Sequence, residues 1–251
     1  MYDLGLRGVT VIDGTGRPPY QATVYIAGNT IAEIVRGGNS GAAAHRIIPG
    51  EGLVLAPGFI DLHSHSDFTL LANPLAESKV RQGVTTEVVG NCGLAPYPVD
   101  PAHAEELRAY VGALAAGLPW TWHDLDGYLA ALESTGLAVN VAALAAHGSL
   151  RLAVMGFADR APNPEELARM RRLLRADLAA GAFGFSTGLI YAPGTYASTD
   201  EVAALASEVR PYGGFYASHI RGESDTLLAA VDEALEIGRR AEVPVHISHL
   251  K

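Results

Sequence analysis

The chain has 251 residues, 49% of them apolar, with a formal net charge of −9 and a pI near 5.4. That is enough length and apolar content for a sizeable core, and an acidic balance with no basic tract argues against nucleic acid as a partner. No apolar run approaches the roughly 20 residues needed to cross a bilayer, and the start, from Met1, lacks the basic and apolar regions of a signal peptide. The single cysteine, Cys92, excludes an intrachain disulfide, so the expectation is a cytoplasmic protein.

Residues 1–55 read as short strands closed by turns. Val9-Thr10-Val11-Ile12 runs into Asp13-Gly14, and Thr23-Val24-Tyr25-Ile26 into Gly28-Asn29, each a β run ended by turn residues. The segment is expected to be a small N-terminal β domain of sandwich type. From Ala56 to Lys251 the pattern becomes strand followed by helix. Strands are expected over 58–63, 84–90, 138–145, 182–187, 214–219 and 243–249, with helices over 75–82, 124–134, 165–180, 199–212 and 225–241. Asn163-Pro164-Glu165-Glu166 and Ser198-Thr199-Asp200-Glu201 are helix starts, a capping residue followed by acids in the first turn. An Ala-rich insertion over 101–122 carries one more helix. Six strands alternating with helices define an α/β fold, either doubly wound or a barrel.

The strand ends favour the barrel. By alternation, Phe59, Asp61, His63 and His65 share one face; Phe215, Ala217, His219 and Arg221 a second; and Val245, Ile247, His249 and Lys251 a third. Each series runs toward a polar residue at its C-terminal end, where inward side chains of a (β/α)8 barrel converge on the site of chemistry. A doubly wound sheet would carry a glycine-rich phosphate turn after its first strand, where this chain has Ser64, Ser66 and Asp67.

Imidazoles at the end of a buried strand are costly unless something binds them, and a divalent metal is the simplest partner for His63 and His65. The plain alternative is a pair of polar strand-end histidines. Cys92, in Gly90-Asn91-Cys92-Gly93, sits at the same rim, where a thiolate is a strong zinc ligand. With His219 and His249 these residues make a zinc-like N/S donor set, enough for one tight site and a weaker neighbour. His246, of opposite parity to His249, is expected to face the helices, and His45, His103 and His123 to face solvent. His147 lies at the rim and can be structural or touch a ligand. Asp61 can support the histidines from behind or make a buried ion pair. Tyr191 can offer its hydroxyl to a ligand or plug the rim, and Lys251 can hold a carboxylate.

These motifs resemble the N-acyl-D-amino-acid deacylases (D-aminoacylases) of the amidohydrolase superfamily. The matching runs are Ala56-Pro57-Gly58-Phe59-Ile60-Asp61-Leu62-His63-Ser64-His65, Gln82-Gly83-Val84-Thr85-Thr86, Gly90-Asn91-Cys92-Gly93, Gly184 to Tyr191, Ala217 to Arg221 and Ile247 to Lys251. The resemblance implies a tight zinc on Cys92, His219 and His249, and a weaker position at His63 and His65. It implies that Tyr191 and Lys251 bind the substrate carboxylate, and that the reaction hydrolyses an N-acyl-D-amino acid to a carboxylate and a free D-amino acid. In the family, an aspartate ending the eighth strand is the general acid/base. This chain stops after the sixth, and Asp67, after the first strand, is in the wrong place. The expectation is therefore an incomplete barrel, inactive and poorly soluble by itself. Rival readings are a hydantoinase or dihydroorotase type amidase, disfavoured because the fourth strand lacks their bridging lysine, an isoaspartyl-type peptidase, and a non-catalytic metal-binding fragment.

Overall fold

The computed structural model describes residues 1–38, 41–115 and 117–250. The chain divides into two compact units, Met1–Gly58 and Phe59–Lys251.

The first unit is one mixed sheet. Its strands are β1 (Tyr2–Val11), β2 (Tyr20–Ala27), β3 (Thr30–Arg36), β4 (Ala44–Pro49) and β5 (Val54–Leu55). They lie in the order β3-β2-β1-β4, with β5 also beside β1. The β1–β2 and β2–β3 pairs are antiparallel, while β4 and β5 run parallel to β1. A small core of Val9, Val11, Ala22 and Val24 forms on one face. Gly50 lets the chain close over it, since a Cβ there would lie 2.3 Å from Val9 Cγ1.

The second unit alternates strand and helix. In order come β6 (Phe59–Asp61), α1 (Glu77–Val80), β7 (Val84–Val89), α2 (Ala104–Val111), α3 (Leu125–Thr135), β8 (Asn140–Ala143), β9 (Ala145–Ala146), α4 (His147–Met155), α5 (Pro164–Ala179), β10 (Gly184–Gly188), α6 (Thr199–Ala206), β11 (Phe215–His219), α7 (Leu227–Ala241) and β12 (Val245–Ile247). Every strand pair in this unit is parallel, in the orders β6-β7-β8 and β9-β10-β11-β12. The expected third strand spans both sheets: β8 pairs with β7, and β9, one residue further on, pairs with β10.

Local chemistry accounts for the helices. Asn163 caps α5 by accepting from Glu165 N and Glu166 N, and Glu166 returns the contact to Asn163 N in a full capping box with Pro164 in the first turn. Ser198 caps α6 through Glu201 N. On α7, Ala230, Ala234, Ile237 and Ala241 are buried, a spacing of three or four residues that lays one stripe on the sheet. The helix over His147–Met155 falls where the sequence reading places only a rim histidine, and the region expected as one helix over 199–212 ends as a 3₁₀ turn from Ser207 to Tyr212. Pro211 in that turn has no N–H for an α-helical bond.

Two side-chain layers show which way the strands face. Val88, Ala142, Leu144, Ala217 and Phe215 cluster on one face, while the larger core, with Tyr216, Ile237, Val245 and Ile247, lies on the helix-covered side. Phe215, Ala217 and His219 alternate as expected. The other two series do not. Asp61 meets Lys79 of α1 on the helical side, and a Cβ on Gly238 of α7 would lie 2.0 Å from Val245 Cγ2. His246, expected among the helices, instead packs edge-on against Phe215. The regular strands end at Asp61 and Ile247, so strand alternation does not extend to His63 or His249.

Candidate metal centre

The turn after β6 is built by a polar network beneath it. Glu87 of β7 is fully buried and accepts from Ser64 Oγ at 2.7 Å and Ser66 Oγ at 2.6 Å. Lys79 Nζ stands 3.2 Å from Glu87 and 2.5 Å from Asp61, whose other oxygen accepts from His63 N at 3.2 Å. Burial opposes the charge on Asp61 and on Lys79, yet their mutual hydrogen bond wins, holding the carboxyl below and the ammonium above their usual values. Charge and hydroxyls together fix the segment that carries His63 and His65.

The Cys92 loop is set by backbone geometry. Gly90, Cys92 and Gly93 all have positive φ, at 77°, 57° and 69°, a region that costs a side chain such as that of Cys92. Gly90 cannot be replaced cheaply, because a Cβ there would lie 2.3 Å from Leu144 O. Ser186 of β10 ties both ends, donating to Gly90 O and accepting from Gly93 N at 3.0 Å. The fully buried Asp67 accepts from Gly90 N at 3.1 Å. Burial pushes its carboxyl well above the usual range.

The two segments meet. Cys92 Sγ lies 3.3 Å from His63 Nε2 and 3.5 Å from His249 Nε2. His63, Cys92 and His249 form one cluster of potential ligand atoms within 4.8 Å of one another, and His219, Glu223 and His249 form another. His249 belongs to both, and its ring centroid is 4.2 Å from that of His219 and 4.9 Å from that of His63. It also has positive φ, at 33°, the bend that redirects its ring after β12. His65 lies edge-on to His63 at 5.5 Å. Burial, with His249 and His65 as neighbours, holds the His63 imidazole down to about 4, and burial with His249 lowers His65.

The donor set fits a metal on its own chemistry. Thiol and imidazole are zinc ligands, and the buried Nδ1 atoms of His63 and His65 find no hydrogen-bond partner among the described residues. The grouping differs in detail from the expected Cys92–His219–His249 set, because His63 stands beside the thiol and His219 beside Glu223.

The other candidates are placed as follows. Tyr191 donates to Cys92 O at 2.5 Å, with its ring 5.2 Å from that of His219. Burial, then the Cys92 thiol, raises its phenol far above the ordinary range. Lys251 lies outside the described residues. Arg221 turns away to Glu233 and to Thr195 O and Ala197 O. His147 is fully buried with Nε2 3.0 Å from Glu201, which Arg151 also grips, a structural role. His45 and His123 are exposed, whereas His103 pairs with Glu106 at the start of α2. Glu223 is the residue sequence reasoning passed over. Its signal was available, a carboxylate four residues after a strand-end histidine.

Parallel strands whose ends gather a thiol, imidazoles and a carboxylate define the α/β metal-site class. The amidohydrolase family model matches residues 46–251. The chain belongs to the amidohydrolase family. It is 43% identical over 250 residues to the D-aminoacylase of Alcaligenes xylosoxydans xylosoxydans, covering 100% of this chain and 51% of that protein. It matches a D-aminoacylase crystal structure described as defining a novel subset of amidohydrolases, at TM-score 0.89 and 38% identity, covering 100% of this chain and 52% of that one. It also matches the N-acyl-D-glutamate deacylase of Bordetella bronchiseptica, solved with zinc and a phosphonate inhibitor that mimics the tetrahedral intermediate, at TM-score 0.85 and 38% identity, covering 97% and 50%. The chain thus spans about half the length of the relatives it matches. Among the described residues no helix is long and apolar enough to cross a membrane.

Proposed function

We propose that the chain forms the first part of a zinc-dependent deacylase that hydrolyses N-acyl-D-amino acids to a carboxylate and a free D-amino acid. In this reading residues 1–55 contribute one side of a β-sandwich, and residues 56–251 the first six strands of a (β/α)8 barrel. The observation that carries it is the contact of Cys92 Sγ with the Nε2 atoms of both His63 and His249, alongside relatives with this activity.

His63, Cys92 and His249 would hold the metal, with His219 and His65 at its flanks. A zinc ion held by these residues would supply Lewis acidity, lowering the pKa of water and polarising an amide carbonyl. The protein's own work is positional. The Glu87 network fixes the His63 turn, and Ser186 with Asp67 fixes the Cys92 loop. Lys251 would hold the substrate carboxylate as a point charge, and Tyr191 would exchange its bond to Cys92 O for the same carboxylate. Of the described acids at this rim, Asp61 is bound to Lys79, Asp67 is buried beneath Gly90, and Glu223 stands beside His219 and His249; none of them ends an eighth strand, the place of the general acid/base in the family the sequence resembles. A hydantoinase reading needs a lysine at the end of the fourth strand. Here β10 has none, and Lys79 is committed to Asp61 and Glu87.

The test measures zinc by metal analysis, and release of free amino acid from N-acetyl-D- and N-acetyl-L-amino acids. It uses this chain and a chain carried to the length of its relatives. Zinc retention with D-selective hydrolysis by the longer form is expected, and Cys92→Ser should lower zinc affinity at least tenfold. Zinc bound with every N-acyl-D-amino acid left intact by both forms overturns the reading.

A further inference from the structure

We propose that Tyr110, carried in by the insertion over 101–122, is a specificity-determining residue that walls the acyl side of the site, and that Glu106 positions it. The inference rests on the deacylase reading above and extends it to the part of the substrate that leaves as the carboxylate.

The insertion helix α2 is fastened by hydrogen bonds along one face. His103, Glu106 and Tyr110, spaced by three and four residues, share that face. Glu106 Oε2 accepts from Phe157 N at 3.2 Å, and its Oε1 lies 2.8 Å from His103 Nδ1. The Phe157 bond falls where α4 ends. Gly156 has a φ of 60° there, and a Cβ on it would lie 2.5 Å from the same Glu106 oxygen. One turn beyond Glu106, the Tyr110 ring packs edge-on against Phe157 with centroids 5.9 Å apart. Glu106 thus fixes both the helix and the ring on which Tyr110 leans.

Tyr110 reaches the loop that carries Cys92. A Cβ on Gly148, in the first turn of α4, would lie 2.5 Å from Tyr110 Oη and 2.6 Å from Gly93 O. The phenol tip and the loop carbonyl therefore meet over a bare glycine. Ser149, next in α4, holds the loop in place by donating to Ala95 O at 2.8 Å and accepting from Ala95 N at 3.1 Å. Tyr191 takes the preceding carbonyl, that of Cys92, over Gly188. Two phenols thus stand at successive carbonyls of one loop. Burial, with the Cys92 thiol nearby, raises the Tyr110 phenol above its usual range, and burial, that thiol and then Tyr110 raise Tyr191. The Tyr110 hydroxyl makes no hydrogen bond among the described residues. A phenol tip that the fold does not use is available to a bound molecule.

The connectivity of the substrate assigns the end that Tyr110 meets. In an N-acyl-D-amino acid the carboxylate and the side chain lie on the nitrogen side of the scissile bond, and the acyl group lies on the other. With the amide at Cys92 and the carboxylate at Tyr191, the next station along the loop, at Gly93, falls to the acyl group. Tyr110 limits the depth there, so short acyl groups fit and bulky ones are turned away.

The experiment uses the chain carried to the length of its relatives. It compares kcat/KM for N-acetyl- and N-phenylacetyl-D-amino acids, with zinc content measured in the same samples. Tyr110→Ala should raise the ratio of phenylacetyl to acetyl hydrolysis by about tenfold, with zinc content unchanged. Glu106→Ala should shift the ratio in the same direction by less. Glu106→Gln, whose amide oxygen can still accept from Phe157 N, should stay near the unsubstituted chain. An unchanged ratio in Tyr110→Ala overturns the proposal and leaves the deacylase reading intact, and an unchanged ratio in Glu106→Ala overturns the role given to Glu106. If the unsubstituted longer chain hydrolyses no N-acyl-D-amino acid, the deacylase reading fails and this inference falls with it. Should Tyr110→Ala not fold, Tyr110→Leu decides by the same ratio.

Discussion

At the scale of single residues, the centre depends on positions where a side chain would not fit or is bent into an unusual conformation. A Cβ on Gly188 would lie 2.3 Å from both Cys92 O and Tyr191 Oη. Gly188→Ala should therefore push the Cys92 loop and the phenol apart. A loss of about 1–3 kcal/mol is expected from the overpacking, read as a lower urea midpoint, with weaker zinc binding in the same variant. An unchanged midpoint would mean that the loop has room this geometry denies it. Residue type and position single out His63, His65, Cys92, His219 and His249 as candidate donors, and the structure brings four of them into the two clusters of potential ligand atoms. Ser66 and Lys79 as props for the first turn are not legible in the sequence, because a hydrogen-bonded support carries no spacing signal of its own; Glu223 has such a signal, four residues after His219.

At the scale of elements, the helix–strand succession was legible, because each strand ends in turn residues and α5 and α6 begin on capping residues. What was not legible was the facing of the strand ends. Alternation assumes that the strand continues to the residue of interest, and β6 and β12 stop two residues short of His63 and His249. The α5 helix carries its own liability. Asp177 is buried on its inner face, and burial, with Asp124 nearby, raises its carboxyl to about 8. The folded state therefore holds a proton that the unfolded chain, with a pKa near 3.8, gives up. Stability should fall as pH rises from about 4 to about 8, by roughly 1.4 kcal/mol per unit across that window, and level off above it. Asp177→Asn should flatten that part of the profile and gain most at pH 8, measured by urea denaturation at pH 6 and pH 8.5. A parallel profile in the variant would assign the pH dependence elsewhere.

At the scale of the whole molecule, β6 pairs only with β7 and β12 only with β11 among the described strands. Phe59, Ile60 and Leu62 on or beside β6 are 66%, 61% and 51% exposed. An edge strand with contiguous apolar side chains is a template for association. Sedimentation should show concentration-dependent self-association, and Ile60→Lys should reduce it; a strictly monomeric wild type would contradict this. The two elements with open edges are also followed by the residues that converge on the thiol. Cys92 and His249 are 157 residues apart, and a cross-link closing a loop of that length removes about 5 kcal/mol of unfolded-chain entropy. A cation held there would act as a clasp between distant stretches of polypeptide. Persistence against proteolysis would then follow the free-metal supply, and withdrawing the ion would loosen the fold as well as silence the site.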